Sequence, residues 1–317
     1  MRVLVTGGAG FVGGHVVASL VATGARVRVL DDFSTGSMDN LCHARTLGLA
    51  DADIRAVDIA ALEGQQEIRD WRPSVVVHLA ANAAFARSIR DPYLDARINV
   101  LGTIGVLAAA ASCGAEKVVL ASSGGTVYGE LPAGAARLAE DAPRTPVSPY
   151  GLSKLTADRY AELYRELFGL PHTALALANV YGPGQDPGAG VVAATARAVA
   201  TGRRPLIYGD GRQTRDFVHV SDVAEAFRRA VNAPPCATVN IGTGIETRIA
   251  DVVAEVCRCF GVPTTPRYAP ERPGEVTRIC LDNRRAAELL GWRPTVGLVE
   301  GIAGVVDTLR APEPAGA

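Results

Sequence analysis

Tyr150 and Lys154 stand four residues apart, a spacing that on a helix puts a phenol and an ammonium on one face. A cation beside a phenol favours the phenolate and pulls the tyrosine pKa below its ordinary value of about 10. Tyr150 would then be a general base for an alcohol hydroxyl. Arginine replaces lysine poorly in that role, because its guanidinium is bulkier and planar. The chain carries 32 basic residues, and only Lys117 and Lys154 are lysines. The low lysine content reads as a coding bias, which makes a lysine at this position informative. Upstream, Ser122-Ser123-Gly124-Gly125-Thr126-Val127-Tyr128-Gly129 offers hydroxyls that could partner the phenol.

A second constellation opens the chain. Val3 to Thr6 reads as a strand, and Gly7-Gly8-Ala9-Gly10-Phe11-Val12-Gly13 follows it into a helix. In such a turn Gly7 permits the tight bend and Gly10 lets backbone approach a pyrophosphate. Gly13 lets the helix pack close, so the diphosphate meets the positive helix end. Asp31-Asp32 ends the next strand-like run, 18 residues past Gly13. A carboxylate there accepts hydrogen bonds from ribose hydroxyls and repels a 2′-phosphate, so Asp31 argues for NAD over NADP. Asp58-Ile59 is placed to meet the adenine, and the small residues of Leu79-Ala80-Ala81 to pass beneath the nicotinamide ribose.

These residues need a scaffold of alternating elements. Strand-like runs fall at 2–6, 26–30, 54–57, 74–79, 117–121 and 172–178, with helical patterns at 11–22, 60–71, 92–112 and 149–168. Continuous apolar strands alternating with helices predict an α/β fold with a doubly wound parallel sheet of the Rossmann type. After Ala178, loops rich in Gly and Pro separate shorter helices at about 191–201, 221–232, 248–260 and 283–290. The expected organisation is a cofactor domain over 1–178 and a smaller α/β substrate lobe over 179–310, interleaved with the first. The Pro/Ala-rich residues 311–317 read as a disordered tail.

Composition narrows the function. The 32 basic and 33 acidic residues leave a net charge of −1, without the footprint of a nucleic-acid binder or a polybasic membrane-surface protein. The longest apolar runs are strand-sized, short of the roughly 20 residues a bilayer crossing needs. Six cysteines form no C-x-x-C, and five histidines show no metal-ligand spacing. A cytoplasmic protein without a structural metal is expected. Glu140, Asp141, Arg228 and Arg229 read as solvated charges.

Taken together, T-G-G-A-G-F-V-G (6–13), L-D-D-F-S-T-G (30–36), N-V-L-G-T (99–103), S-S-G-G-T-V-Y-G (122–129), S-P-Y-G-L-S-K (148–154), A-N-V-Y-G-P (178–183), G-D-G-R-Q-T-R-D-F-V-H-V (209–220) and R-P-G-E (272–275) resemble the extended short-chain dehydrogenase/reductase family. More narrowly they resemble its nucleotide-sugar 4-epimerases of the UDP-glucose 4-epimerase type. The resemblance covers nearly the whole chain. It implies that Tyr150 takes the proton of a sugar 4-hydroxyl while NAD⁺ oxidises C4. The 4-keto sugar then turns over and is reduced on its other face, so the cofactor stays bound. Lys154 would tune Tyr150 and hold the ribose. Asn99, Ser122 and the Phe33-Ser34-Thr35-Gly36 loop would meet the cofactor. Asn179 would meet the sugar diphosphate, and Arg215 and Arg272 would clamp it, with Glu275 beside them. Val191, Val192 and Leu206-Ile207-Tyr208 would line a uridine pocket, and Ile279 or Cys280 would sit where N-acetyl sugars are admitted. Ile at that place disfavours UDP-GlcNAc.

One departure matters. The position at which the family often carries the hydroxyl partner of the tyrosine is Gly124 here, so Ser123 or Thr126 must serve, Ser123 being favoured. Nucleotide-sugar 4,6-dehydratases carry an Asp-Glu pair before V-Y-G, and the UDP-glucuronate decarboxylases a Glu. Gly125-Thr126 leaves either chemistry without its acid. A 4-ketoreductase, needing exchangeable NAD(P)H, remains the alternative, and UDP-glucuronate the rival substrate, with Arg87, Ser88 and Thr126 facing its C6 end. The resemblance also implies a homodimer through the helices at 92–112 and 149–168.

Overall fold

Apolar side chains on both faces of a strand require cover on both sides of the sheet. In β1 (Arg2–Thr6), Val3 and Val5 enter one core while Leu4 enters another. The computed structural model describes residues 1–310, so the expected tail at 311–317 lies outside the described residues. From β1 the chain runs through α1 (Phe11–Ala22), β2 (Arg26–Asp31), α2 (Cys42–Thr46), β3 (Ile54–Ala56), α3 (Leu62–Trp71) and β4 (Val75–His78). There follow α4 (Phe85–Arg90), α5 (Pro92–Ala96), a π-helical turn (Arg97–Gly102), α6 (Thr103–Ser112), β5 (Lys117–Ser122), α7 (Pro149–Phe168) and β6 (His172–Leu177). The remainder holds β7 (Asn179–Tyr181), α8 (Val191–Ala200), β8 (Leu206–Tyr208), β9 (Thr214–His219), α9 (Val220–Asn232), β10 (Thr238–Ile241), β11 (Glu246–Arg248), α10 (Ile249–Phe260), β12 (Arg267–Ala269), α11 (Arg284–Leu290) and α12 (Leu298–Arg310).

Seven strands form a parallel sheet in the order β10-β6-β5-β4-β1-β2-β3. The order reverses between β1 and β4, and the crevice at the carboxyl ends of the strands there is where such folds bind dinucleotides. Because β10 and the α9 preceding it come from the C-terminal part of the chain, the larger sheet is completed after the chain has already entered the second lobe. That lobe contains the three-stranded sheet β11-β9-β7 and the pair β12-β8. Its core joins Tyr181, Phe217, Val252, Val256, Ile302 and Val305 between α8, α10 and α12.

Two helices matter most for the site. α7 starts where the sequence dictates: Ser148 Oγ accepts from Gly151 N at 3.1 Å, Pro149 occupies the first turn, and Gly169 at φ 65° ends the helix. Residues 92–112, expected as one helix, are continuous but open into a π turn at Arg97–Gly102. By length and composition this helix could cross a bilayer, contrary to the expectation that no segment would, yet half of its apolar window is buried within the protein. α12 was not foreseen.

Candidate active site

The glycine turn after β1 is a cradle that added side-chain atoms would fill. Gly7 has φ 68°, and a Cβ there would lie 2.5 Å from the Ala80 amide nitrogen; one at Gly13 would run into the Gly7 carbonyl. The Leu79-Ala80-Ala81 segment thus passes directly against the turn. Asp31, 7% exposed, accepts from Ala9 N through Oδ2 and from Phe33 N through Oδ1, both at 2.9 Å. Burial raises its pKa, against those two amides. Asp32 is exposed and bonds its own turn, accepting from Ser34 N and Oγ. Phe33 adopts φ 56°, Ser34 and Thr35 are exposed, and Gly36 packs on the Asp31 carboxylate. Asn40, not foreseen, donates from Nδ2 to the Ala9 carbonyl at 2.8 Å and so fixes the turn from the far side. A glycine cradle at a helix start with one buried carboxylate at the second strand tip fits NAD. Phe11 and Val12 are half-buried at the start of α1. Asp58 pairs with Arg97 and caps Ala60 N, while Ile59 is buried against Gly102.

Asn99 lies in the π turn, a distortion often found at functional sites. Only 1% exposed, it is a hub: Oδ1 accepts from Asn82 N at 2.8 Å, and Nδ2 faces Asp95 Oδ1 (3.0 Å), Asn82 O (3.2 Å) and Ser153 Oγ (3.2 Å). Its carbonyl accepts from Thr103 Oγ1 at 2.6 Å. The Thr103 oxygen therefore accepts from His78 Nε2 (2.9 Å), and His78 Nδ1 accepts from Thr6 Oγ1 (2.7 Å). Burial holds the imidazole neutral by lowering its pKa to about 3, with Lys154 adding to the effect. Asn82, Asp95, Ser153 and His78 were missed by the sequence reading; the Asp95/Asn99 spacing of four in a helix was the available signal.

Tyr150 and Lys154 share one face of α7 near the β5 terminus. The Tyr150 amide donates to Ser88 Oγ at 3.3 Å, so Ser88, fully buried, anchors the start of the helix rather than facing substrate; Arg87 is exposed. The expected depression of the phenol is not found. Burial pushes Tyr150 up to about 12, opposed by a hydrogen bond with Ser123 and reinforced by Asp95 and Asp158. Burial is the first cause of that rise, and the Lys154 ammonium is not among the groups that act on the phenol. Lys154, 5% exposed, is itself lowered by burial, with Asp158 and Asp95 opposing. Thr126 Oγ1 is buried and has no hydrogen-bond partner among the described residues. Ser122 is turned away, donating to Asp158 Oδ2 at 2.6 Å. Gly124 is glycine for a packing reason: a Cβ there would meet Leu281 Cδ1 at 2.5 Å and the Ala176 carbonyl at 2.9 Å.

Across the crevice, Asn179 extends over Gly125, whose absent Cβ would stand 3.4 Å from Asn179 Oδ1. Arg215 is 6% exposed and pairs with Glu275 at 3.3 Å. Arg272 stacks over the Tyr208 ring, its guanidinium carbon 3.7 Å from the centroid. Val191 is half-buried and Leu206 exposed, but Val192 and Ile207, expected to line the pocket, point into hydrophobic cores. Alternation along the short β8 strand puts Leu206 and Tyr208 on the other side. Ile279 and Cys280 are both core residues. Glu140 is not solvated: its side chain is 4% exposed and accepts from Asn240 N. Arg228 and Arg229 pair with Glu225.

A dinucleotide cradle beside a half-buried Tyr150 and a buried Lys154 defines a Rossmann-fold enzyme of nicotinamide-linked alcohol chemistry. The chain belongs to the NAD dependent epimerase/dehydratase family, whose model it matches over residues 3–242. It is 43% identical over 316 residues to a UDP-glucose 4-epimerase of Mycolicibacterium smegmatis, covering 98% of this chain and 99% of that one. It superposes with TM-score 0.92 on a UDP-glucose 4-epimerase of Thermotoga maritima solved with UDP-glucose, 38% identical, covering 98% and 99% of the two chains. The UDP-glucose 4-epimerase of Thermus thermophilus in complex with NAD gives a TM-score of 0.90 at 41% identity, again covering 98% and 99%.

Proposed function

We propose that this protein is an NAD-dependent UDP-hexose 4-epimerase that interconverts UDP-glucose and UDP-galactose through a transient 4-keto sugar. The observation that carries the reading is Tyr150 and the buried Lys154 one helical turn apart on one face of α7, with Ser123 following β5 and acting on the phenol. Full-length similarity to UDP-glucose 4-epimerases supports the same substrate class.

Bound NAD supplies the reversible oxidation at C4. Tyr150 Oη removes the proton from O4 and returns it after the sugar has turned. Ser123 holds the phenol in line, and the partnerless Thr126 hydroxyl is the one left to meet the sugar. Lys154 supplies positive charge to the phenolate and a donor to the cofactor ribose. Asp31 receives the adenosine ribose hydroxyls. Arg215 and Arg272 fork onto the diphosphate, with Asn179 beside them and Tyr208 and Leu206 against the base. Glu275 orients Arg215. Elimination of water from the sugar would need an acid at positions 125 or 126, and Gly125 and Thr126 have none.

Exposed apolar side chains on the two long helices support a homodimer: Tyr93, Leu101, Leu152, Leu163 and Leu167 face outward from 92–112 and α7. Light scattering should give twice 33.0 kDa, and a monomer at micromolar concentration would contradict this. All six cysteines are unpaired, as a cytoplasmic location allows. Incubation with UDP-glucose, UDP-glucuronate and UDP-GlcNAc in turn, with no cofactor added, tests the substrate reading. UDP-glucose should be epimerised fastest; product from none would overturn the epimerase assignment.

A further inference from the structure

Asp158 lies one helical turn beyond Lys154 and two beyond Tyr150, on the same face of α7. It is 3% exposed and is held from two sides. Ser122 Oγ donates to Oδ2 at 2.6 Å, and Arg144 Nη1 stands 3.5 Å from the same oxygen. Arg144 in turn donates from Nη2 to Thr238 Oγ1 at 2.6 Å. The chain Ser122–Asp158–Arg144–Thr238 therefore ties β5, α7 and β10 together behind the reacting pair. A buried carboxylate is costly unless it is paired.

The charged and titratable groups facing Asp158 are few. Lys154 and Glu162 act on it from its own helix and Arg144 from the segment before it. It acts on the phenols of Tyr150 and Tyr128. β5 and β10 present Ser122 and Thr238, which carry no charge, and α5 faces Lys154 with Asp95. Burial lifts Asp158 to about 6, against Ser122, Arg144 and Lys154, so its charge is present at neutral pH and fades below that value.

We propose that Asp158 is a positioning residue that sets where on the pH scale the Tyr150–Lys154 pair works, its anchored carboxylate keeping the Lys154 ammonium charged and restraining ionisation of the phenol. Burial lowers Lys154, and among the charges opposing that burial Asp158 comes first. The same carboxylate raises Tyr150. Its removal makes both groups give up their protons at lower pH. In Asp158→Asn both limbs of the kcat/KM profile should therefore move together to lower pH, by about half a unit or more.

A readout without turnover is available. The phenolate absorbance step of Tyr150, isolated by subtracting the titration of the matching Tyr150→Phe protein, should move the same way in the NAD-bound protein. Asp158→Glu should restore both. Arg144→Met, which keeps the carboxylate but removes the cation that partly offsets it, should move the phenolate step the opposite way, to higher pH, and by less; it serves if Asp158→Asn does not fold. Limbs and phenolate step that stay in place while activity or stability merely falls would overturn the proposal. The turnover half rests on the epimerase reading. A moved phenolate step in a protein that epimerises no UDP-sugar would sink that reading and leave this one standing.

Discussion

Ser123 lies against the Tyr150 phenol, while Thr126 Oγ1, three residues on, is buried with no partner among the described residues. An unsatisfied buried hydroxyl costs about 1–3 kcal/mol, a cost that contact with a sugar oxygen would relieve. The two hydroxyls should therefore fail differently. Ser123→Ala should lower kcat by about 10²-fold with little change in KM. Thr126→Ala should raise KM for the UDP-sugar while kcat falls less. Steady-state kinetics of the two variants check this, and the reversed pattern would exchange their roles. From sequence the two could not be separated. The Tyr/Lys spacing was legible because helical periodicity fixes which side chains share a face. The direction of the phenol's shift was not, because burial and the two carboxylates depend on α5 and on the packing of α7.

At the scale of elements, the second lysine proves structural. Lys117, 5% exposed at the start of β5, donates from Nζ to the carbonyls of Ala230 and Ala233 at 2.5 Å each and so closes the last turn of α9. Lys117→Met should cost about 2 kcal/mol, the scale of hydrogen bonds to a charged group, read as a lower urea midpoint with an unchanged slope. A second element-level test concerns the loop-to-β11 contact in the smaller lobe. Glu246 takes two hydrogen bonds from Arg278, at 2.7 and 2.8 Å. Those bonds, with Thr214 and against some burial, hold its pKa down to about 2 from 4.5. A depressed carboxyl contributes stability above its unfolded value and loses it as pH falls through the folded one. The Tm gap between the parent and Glu246→Gln should be full at pH 7 and close between pH 4.5 and 2. A constant gap would remove the charge from the account. The first six strands and the long helices between them could be read directly, most of them from apolar runs and caps such as Ser148-Pro149, whereas the short α2 and α4 could not. The smaller lobe could not: β7, β8, β11 and β12 are three residues each, too short for periodicity. That is also why Ile207 was assigned to the wrong side of its strand.

For the whole molecule, the reversal of strand order between β1 and β4 gathers loops from positions 7, 31, 80 and 123 into one crevice. The return of the chain through α9 and β10 fastens the smaller lobe's segments to the same sheet. This closed arrangement suits a cofactor that remains in place while one substrate is oxidised and re-reduced. The most direct test supplies UDP-glucose deuterated at C4 to the purified protein with no cofactor added. UDP-galactose that keeps its deuterium at C4, with none lost to water or to unlabelled NADH in solution, is the result expected. Loss of the label, elimination across C5 and C6, or a requirement for added NADH would contradict the claim that this chain inverts C4 with a retained cofactor.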